Sequence, residues 1–168
     1  MGLVSVAELR AVVTSALTDA QLQTVLDREE REMIARTGPH GGGVDGLTLT
    51  LRNPLGLVML LPRPLSQVIS VAERQLPSDT PMIVPSDGYW LDFGSLNRLS
   101  GVWASFVTVV GIPADLDRRK SVLIELVRQA LEQTALKSES VAGEYSWTAP
   151  DWERQRADLY RRLTFMSI

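Results

Sequence analysis

The sequence predicts an α+β fold, with an N-terminal helix pair, a central antiparallel β-rich insertion, then a long C-terminal helix plus a terminal helix. Three observations predict it. Apolar residues recur at spacings of three and four near both ends of the chain. Through the middle they alternate or cluster in short runs separated by turn residues. A glycine-rich run, Gly38 to Gly46, divides the first helical zone from the β zone. At 168 residues the chain is long enough to bury one core. It reads as a single domain in five zones: 1–37 helical, 38–46 a flexible loop, 47–112 β-rich, 113–137 a long helix, and 138–168 a hinge, terminal helix and tail.

In the first zone Val6, Leu9, Val13, Ala16 and Leu17 share one helix face. Thr18 restarts the pattern as an N-cap, with Gln21 completing a capping box. Leu22, Val25, Leu26, Met33 and Ile34 form the stripe of this second helix, and Gly38-Pro39 ends it. In the β zone Leu47, Leu49 and Leu51 alternate with Thr48, Thr50 and Arg52, as in a half-buried strand. Leu57 to Leu61 is a continuous apolar run that Pro62 and Pro64 break, Val68, Ile69 and Val71 resume it, and Met82-Ile83-Val84, Tyr89-Trp90-Leu91 and Phe106 to Val110 follow. Turn residues at Pro77-Ser78-Asp79, Ser86-Asp87-Gly88 and Asp92-Phe93-Gly94 separate them. Pro113 suits a first helical turn. Leu116, Leu123, Leu126, Val127, Ala130, Leu131 and Thr134 mark the buried side of the long helix that follows. After the polar stretch Ser138 to Gly143, Pro150-Asp151 opens a helix on which Trp152, Leu159, Tyr160 and Leu163 share a face.

No residue set points to catalysis. The chain has no cysteine, which excludes disulfides, thiolate chemistry and sulfur-ligated zinc. Its one histidine, His40, lies in the glycine-rich loop, an exposed and poorly rigid place for a general base. Gly41-Gly42-Gly43 stands between a helix and a strand with no Lys-Ser or Lys-Thr after it, the reverse of a phosphate loop. Glu29, Glu30 and Glu32 interleave with Arg28 and Arg31, the pattern of a solvated helix face. Asp115 and Asp117 complement the start of the long helix.

The remaining features concern partners rather than chemistry. Arg118-Arg119 and Arg161-Arg162 have acids nearby, and with a net charge of −3 no basic face for nucleic acid stands out. Of the four tryptophans, Trp90, Trp103 and Trp152 are expected in the core, while Trp147, on the hinge, is placed equally well in an interface. Neither a signal peptide nor a membrane span is expected. No cofactor or metal is implied.

The order of these elements resembles the head-tail connector (adaptor) proteins of long-tailed bacteriophages, in the form with a β-rich insertion common among phages of actinobacteria. The resemblance rests on four stretches. Thr18-Asp19-Ala20-Gln21-Leu22 opens the second helix, and Leu60 to Val71 is similar to that family's leucine, proline, valine, small, valine segment. Trp103 followed by Phe106 to Pro113 resembles its strand leading to glycine, x, proline, helix. Glu139 to Trp147, with Gly143-Glu144-Tyr145-Ser146, resembles its hinge before the last helix.

The resemblance implies a structural virion protein of the neck, not an enzyme, assembled in the host cytoplasm. It would form a homo-oligomeric ring, usually of twelve copies, under the portal protein. The ring would extend the DNA channel without sequence-specific binding, and a head-completion or tail-terminator protein would dock below. Portal docking carried over from relatives falls on 145–168, with Tyr145, Trp147, Trp152, Tyr160, Arg161, Arg162, Phe165 and Ile168 as contacts. The apolar tail Leu163 to Ile168 independently suggests a binding surface. Another head- or tail-completion protein, or a cellular protein-binding module, is the alternative; a small enzyme would show a deep pocket lined by several of Glu73, Asp87, Asp92 and His40.

Overall fold

Side-chain caps start the first two helices. In the computed structural model, which describes residues 2–41, 46–54, 56–92, 94–139 and 151–163, α1 spans Val6–Arg10 and α2 spans Asp19–Thr37. Ser5 and Glu8 form a capping box at α1, and Thr18 and Gln21 form the expected one at α2. Helix α1 is shorter than the spacing predicts. Beyond it lie Val12, Val13 and Thr14, whose β-branched side chains lose rotamer freedom in a helix. The Arg10 guanidinium then fixes a turn, donating to the Leu17 carbonyl at 2.7 Å and to the Asp19 carboxylate at 2.6 Å.

The chain divides into two compact units, a β unit from His40–Leu116 and a helical unit built from Gly2–Pro39 with Asp117–Ile168. In the β unit the strands are β1 (Leu47–Arg52), β2 (Val58–Leu60), β3 (Leu65–Arg74), β4 (Met82–Val84), β5 (Tyr89–Asp92), β6 (Ser95–Arg98) and β7 (Phe106–Pro113). They form a four-stranded sheet in the order β1-β7-β3-β4 and a three-stranded sheet in the order β2-β6-β5. Every pairing is antiparallel, as the sequence predicts.

One core joins the two sheets. Val71, Val84, Val107 and Val109 from the larger sheet pack with Met59 and Leu96 from the smaller one, closed by Trp103. The Trp103 indole donates to the Leu57 carbonyl at 3.0 Å, so its polar edge is satisfied while its ring is buried. Gly111 sits where β7 lies close against its neighbour β3: a Cβ there would lie 2.5 Å from the Gln67 carbonyl oxygen. Pro113 closes β7 instead of opening the long helix, because its partner Leu65 extends the β3 ladder that far. Within the Leu57 to Leu61 run the strand is Val58–Leu60. Met59 is buried, but Val58 and Leu60 on either side are exposed.

In the helical unit α3 runs Leu116–Glu139 and α4 runs Trp152–Arg161. Leu22, Leu26 and Met33 of α2, Leu123, Leu126 and Val127 of α3, and Leu159 of α4 are buried. Among the described residues no helix is long and apolar enough to cross a membrane.

Candidate functional site

Charged residues that look like surface in the sequence turn out to be internal ties. Glu29 and Glu30 are buried, contrary to the solvated face expected of them. Glu30 accepts the Leu3 backbone N–H at 2.7 Å and so anchors the segment before α1. Glu29 accepts from Arg28 at 2.8 Å on one oxygen and from Arg156 of α4 at 2.7 Å on the other. Arg156 also reaches Glu32 at 2.6 Å. The neighbouring arginines suggested solvation, but the deciding partner lies 127 residues away.

Arg119 is likewise buried rather than at the surface. Its guanidinium donates to the carbonyls of Thr37 and Gly38, each at 2.9 Å, and to the Thr37 hydroxyl at 3.1 Å. It therefore satisfies carbonyls that the end of α2 leaves without helical partners. Asp115 does not simply face the helix dipole, because it forms a buried ion pair with Arg63, whose Nε donates at 3.0 Å. His40 is buried rather than exposed.

Helix α4 and its C-cap Arg162 carry those expected docking residues that are described. Asp151 caps it, accepting the Arg154 N–H at 3.0 Å. Trp152 is half-buried and lines a cleft of about 770 Å³ with Glu32, Arg36, Gln133, Arg154 and Arg156. Tyr160 is buried, with the Arg36 guanidinium 4.8 Å over its ring, so it holds α4 to α2. Burial pushes the Tyr160 phenol above its usual range. Burial works against the charge on Arg156, but Glu29, Tyr160 and Glu32 together outweigh it and raise its pKa. Arg161 is exposed and pairs with Asp158 at 2.9 Å. Arg162 is exposed, and its carbonyl accepts from Arg118 at 3.4 Å. Tyr145, Trp147, Phe165 and Ile168 lie outside the described residues.

Glu73 faces inward and binds Arg98, while Asp92 stands on the outer side of the smaller sheet, so these two carboxylates do not converge. Among the described residues no three His, Asp or Glu side chains gather as a metal ion would require. Trp90, expected in the core, is half exposed on β5, since it alternates with the inward Tyr89 and Leu91.

No protein-family profile matches the sequence, and no curated protein matches it. Among solved structures the chain shares its fold with one described as "Neck of empty GTA particle computed with C6 symmetry", GTA being a gene transfer agent, a phage-like particle. The match has a TM-score of 0.56 at 16% identity and covers 99% of this chain and 91% of that one. This chain is therefore similar in fold, from end to end, to a chain of a phage-like particle neck.

Proposed function

We propose that this protein is a structural component of the neck of a phage-like virion, acting as a head-tail connector. The observation that carries the reading is a shared fold over nearly the whole chain with a neck protein. Copies form a ring, twelve on the connector reading, between the portal and the next head-completion or tail protein. The ring extends the DNA channel without reading sequence, and assembly takes place in the host cytoplasm. Its work is positional, and the groups nearest to catalytic types are used as ties: Glu29 to Arg156, Glu30 to Leu3 and Asp115 to Arg63. Portal docking is assigned to the end of the chain, with Trp152, Arg161 and Arg162 as the described groups facing solvent at least in part.

Electron microscopy of the assembled particle tests the reading. A tag on this chain should appear as a ring at the capsid vertex, adjoining the portal. A tag found in the tail tube, or absent from the particle, would sink it. In parallel, native mass spectrometry of the protein mixed with portal should detect a complex, and removal of residues after Gly143 should abolish it.

A further inference from the structure

The β unit carries apolar side chains on both of its outer surfaces. Every exposed large apolar residue of the described chain except Val12 lies between Leu57 and Val102. Strand register places four of them, Val58, Leu60, Trp90 and Ile83, on the outer faces. In the smaller sheet Met59, Leu96 and Leu91 face the core, so Val58, Leu60 and Trp90 face the opposite way. In the larger sheet Val71, Val84, Val107 and Val109 face the core, so the exposed Ile83 and the half-buried Ala72 and Phe106 point outward from the other side. The two surfaces look away from each other across one core. Leu60 and Ile83, one on each, are both 77% exposed.

Their charges differ in sign. The strand residues on the outer side of the smaller sheet carry one charge, Asp92, opposite Ser95. Those on the outer side of the larger sheet carry Arg52 and Arg74, which flank Phe106 in register, and no acid. A two-fold pairing of like surfaces would set these charges against their own kind and leave the second surface bare. A head-to-tail pairing sets Asp92 towards the arginines and covers both surfaces at every junction. Head-to-tail contacts of this kind close into rings when the rotation per copy allows.

We propose that neighbouring copies of this chain dock through these two surfaces, the outer side of β2-β6-β5 on one copy packing on the outer side of β1-β7-β3-β4 on the next. The proposal rests on the ring reading above, for which it supplies the lateral contact. Strand pairing is not required of β4, because Pro81 and Pro85 confine its free edge to three residues. The contact is face to face, as in sheets that pack through interdigitated side chains.

Charged substitutions in the full-length chain test it. Leu60→Glu spoils one surface and leaves the other; Ile83→Glu does the reverse. Sedimentation velocity on wild type should show association growing with concentration, weakened roughly tenfold or more in each variant. Mixing the two variants should restore one junction and yield dimers that stop there. Both sites are exposed, so circular dichroism should match wild type and separate lost docking from lost folding. Variants that associate like wild type overturn the proposal, and so does a mixture no larger than its parts. A wild-type chain still monomeric at about 1 mM also overturns it, since complementary apolar surfaces would associate at that concentration without help. The ring reading is judged separately, on portal-bound particles, and can stand if this lateral contact fails.

Discussion

Replacing Arg156 with alanine removes the guanidinium that joins α4 to α2. Its Nη2 donates to Glu29 at 2.7 Å and to Glu32 at 2.6 Å. The Glu29 side chain is 2% exposed and that of Arg156 17%, so the pair is largely screened from water. Stranding one member of a buried pair costs about 3–5 kcal/mol. Glu29 keeps its contact with Arg28, and Glu32 is partly solvated, which places the expected loss near the lower end, about 3 kcal/mol. In a chain of this size that lowers the melting temperature by about 6–12 °C. The control is Arg161→Ala: its pair with Asp158 has side chains 80% and 49% exposed, and its loss should cost less than about 0.5 kcal/mol. Urea denaturation followed by far-ultraviolet circular dichroism measures both, and the midpoint should shift for Arg156→Ala without a change of slope. An Arg156→Ala midpoint equal to wild type, or an Arg161→Ala loss of the same size, would refute the reasoning.

Four further outcomes are expected. Gly111→Ala should destabilise the β unit by about 2–3 kcal/mol in thermal unfolding, since its Cβ would press on the Gln67 carbonyl 2.5 Å away. Gly56→Ala meets no neighbour and should cost only about 1 kcal/mol, for its φ of +77°. Arg119→Ala should cost about 2–3 kcal/mol by the same urea assay, because it strips three hydrogen bonds from the end of α2. The Tyr89 and Tyr160 phenols are both raised by burial. Their neutral forms are favoured in the fold, so this stability is fully present below a pH of about 10 and falls as pH rises through the higher folded values. Spectrophotometric titration should show fewer late-ionising phenols in Tyr160→Phe, and an unchanged curve would count against the burial argument.

Local signals in the sequence were legible, and long-range ones were not. The Thr18–Gln21 capping box and the alternation in Leu47–Arg52 depend on residues a few positions apart, and both stand in the structure as read. Glu29, Asp115 and Arg119 depart from the sequence expectation for a shared reason. Each has a plausible partner or role nearby in sequence, but the group that fixes it arrives from α4, from the segment before β3, or from the end of α2. The order β1-β7-β3-β4 was illegible, because alternation reports which residues face a core but not which strand lies alongside. The apolar run at Leu57 to Leu61 concealed a strand whose two faces are both apolar, one turned to the core and one to solvent. Of the end of the chain proposed for docking, the stripe on α4 is legible in the sequence, but the separate roles of its residues are not: Tyr160 is buried against Arg36, while Arg161 is exposed.

The β unit is one uninterrupted stretch of chain, His40–Leu116, whereas the helical unit is assembled from both sides of it. That difference fixes an order of events during translation. The β unit has all its strands once Leu116 has left the ribosome, and it can close its core at that point. Helix α2, made earlier, must wait for α3 and α4 before Glu29 meets Arg156. At ordinary elongation rates the wait lasts on the order of seconds. Through that interval Glu29 lacks its Arg156 partner, and α2 lacks the α4 face that covers it. A nascent chain stalled after Leu116 should therefore carry a protease-resistant β unit behind a protease-sensitive N-terminal arm.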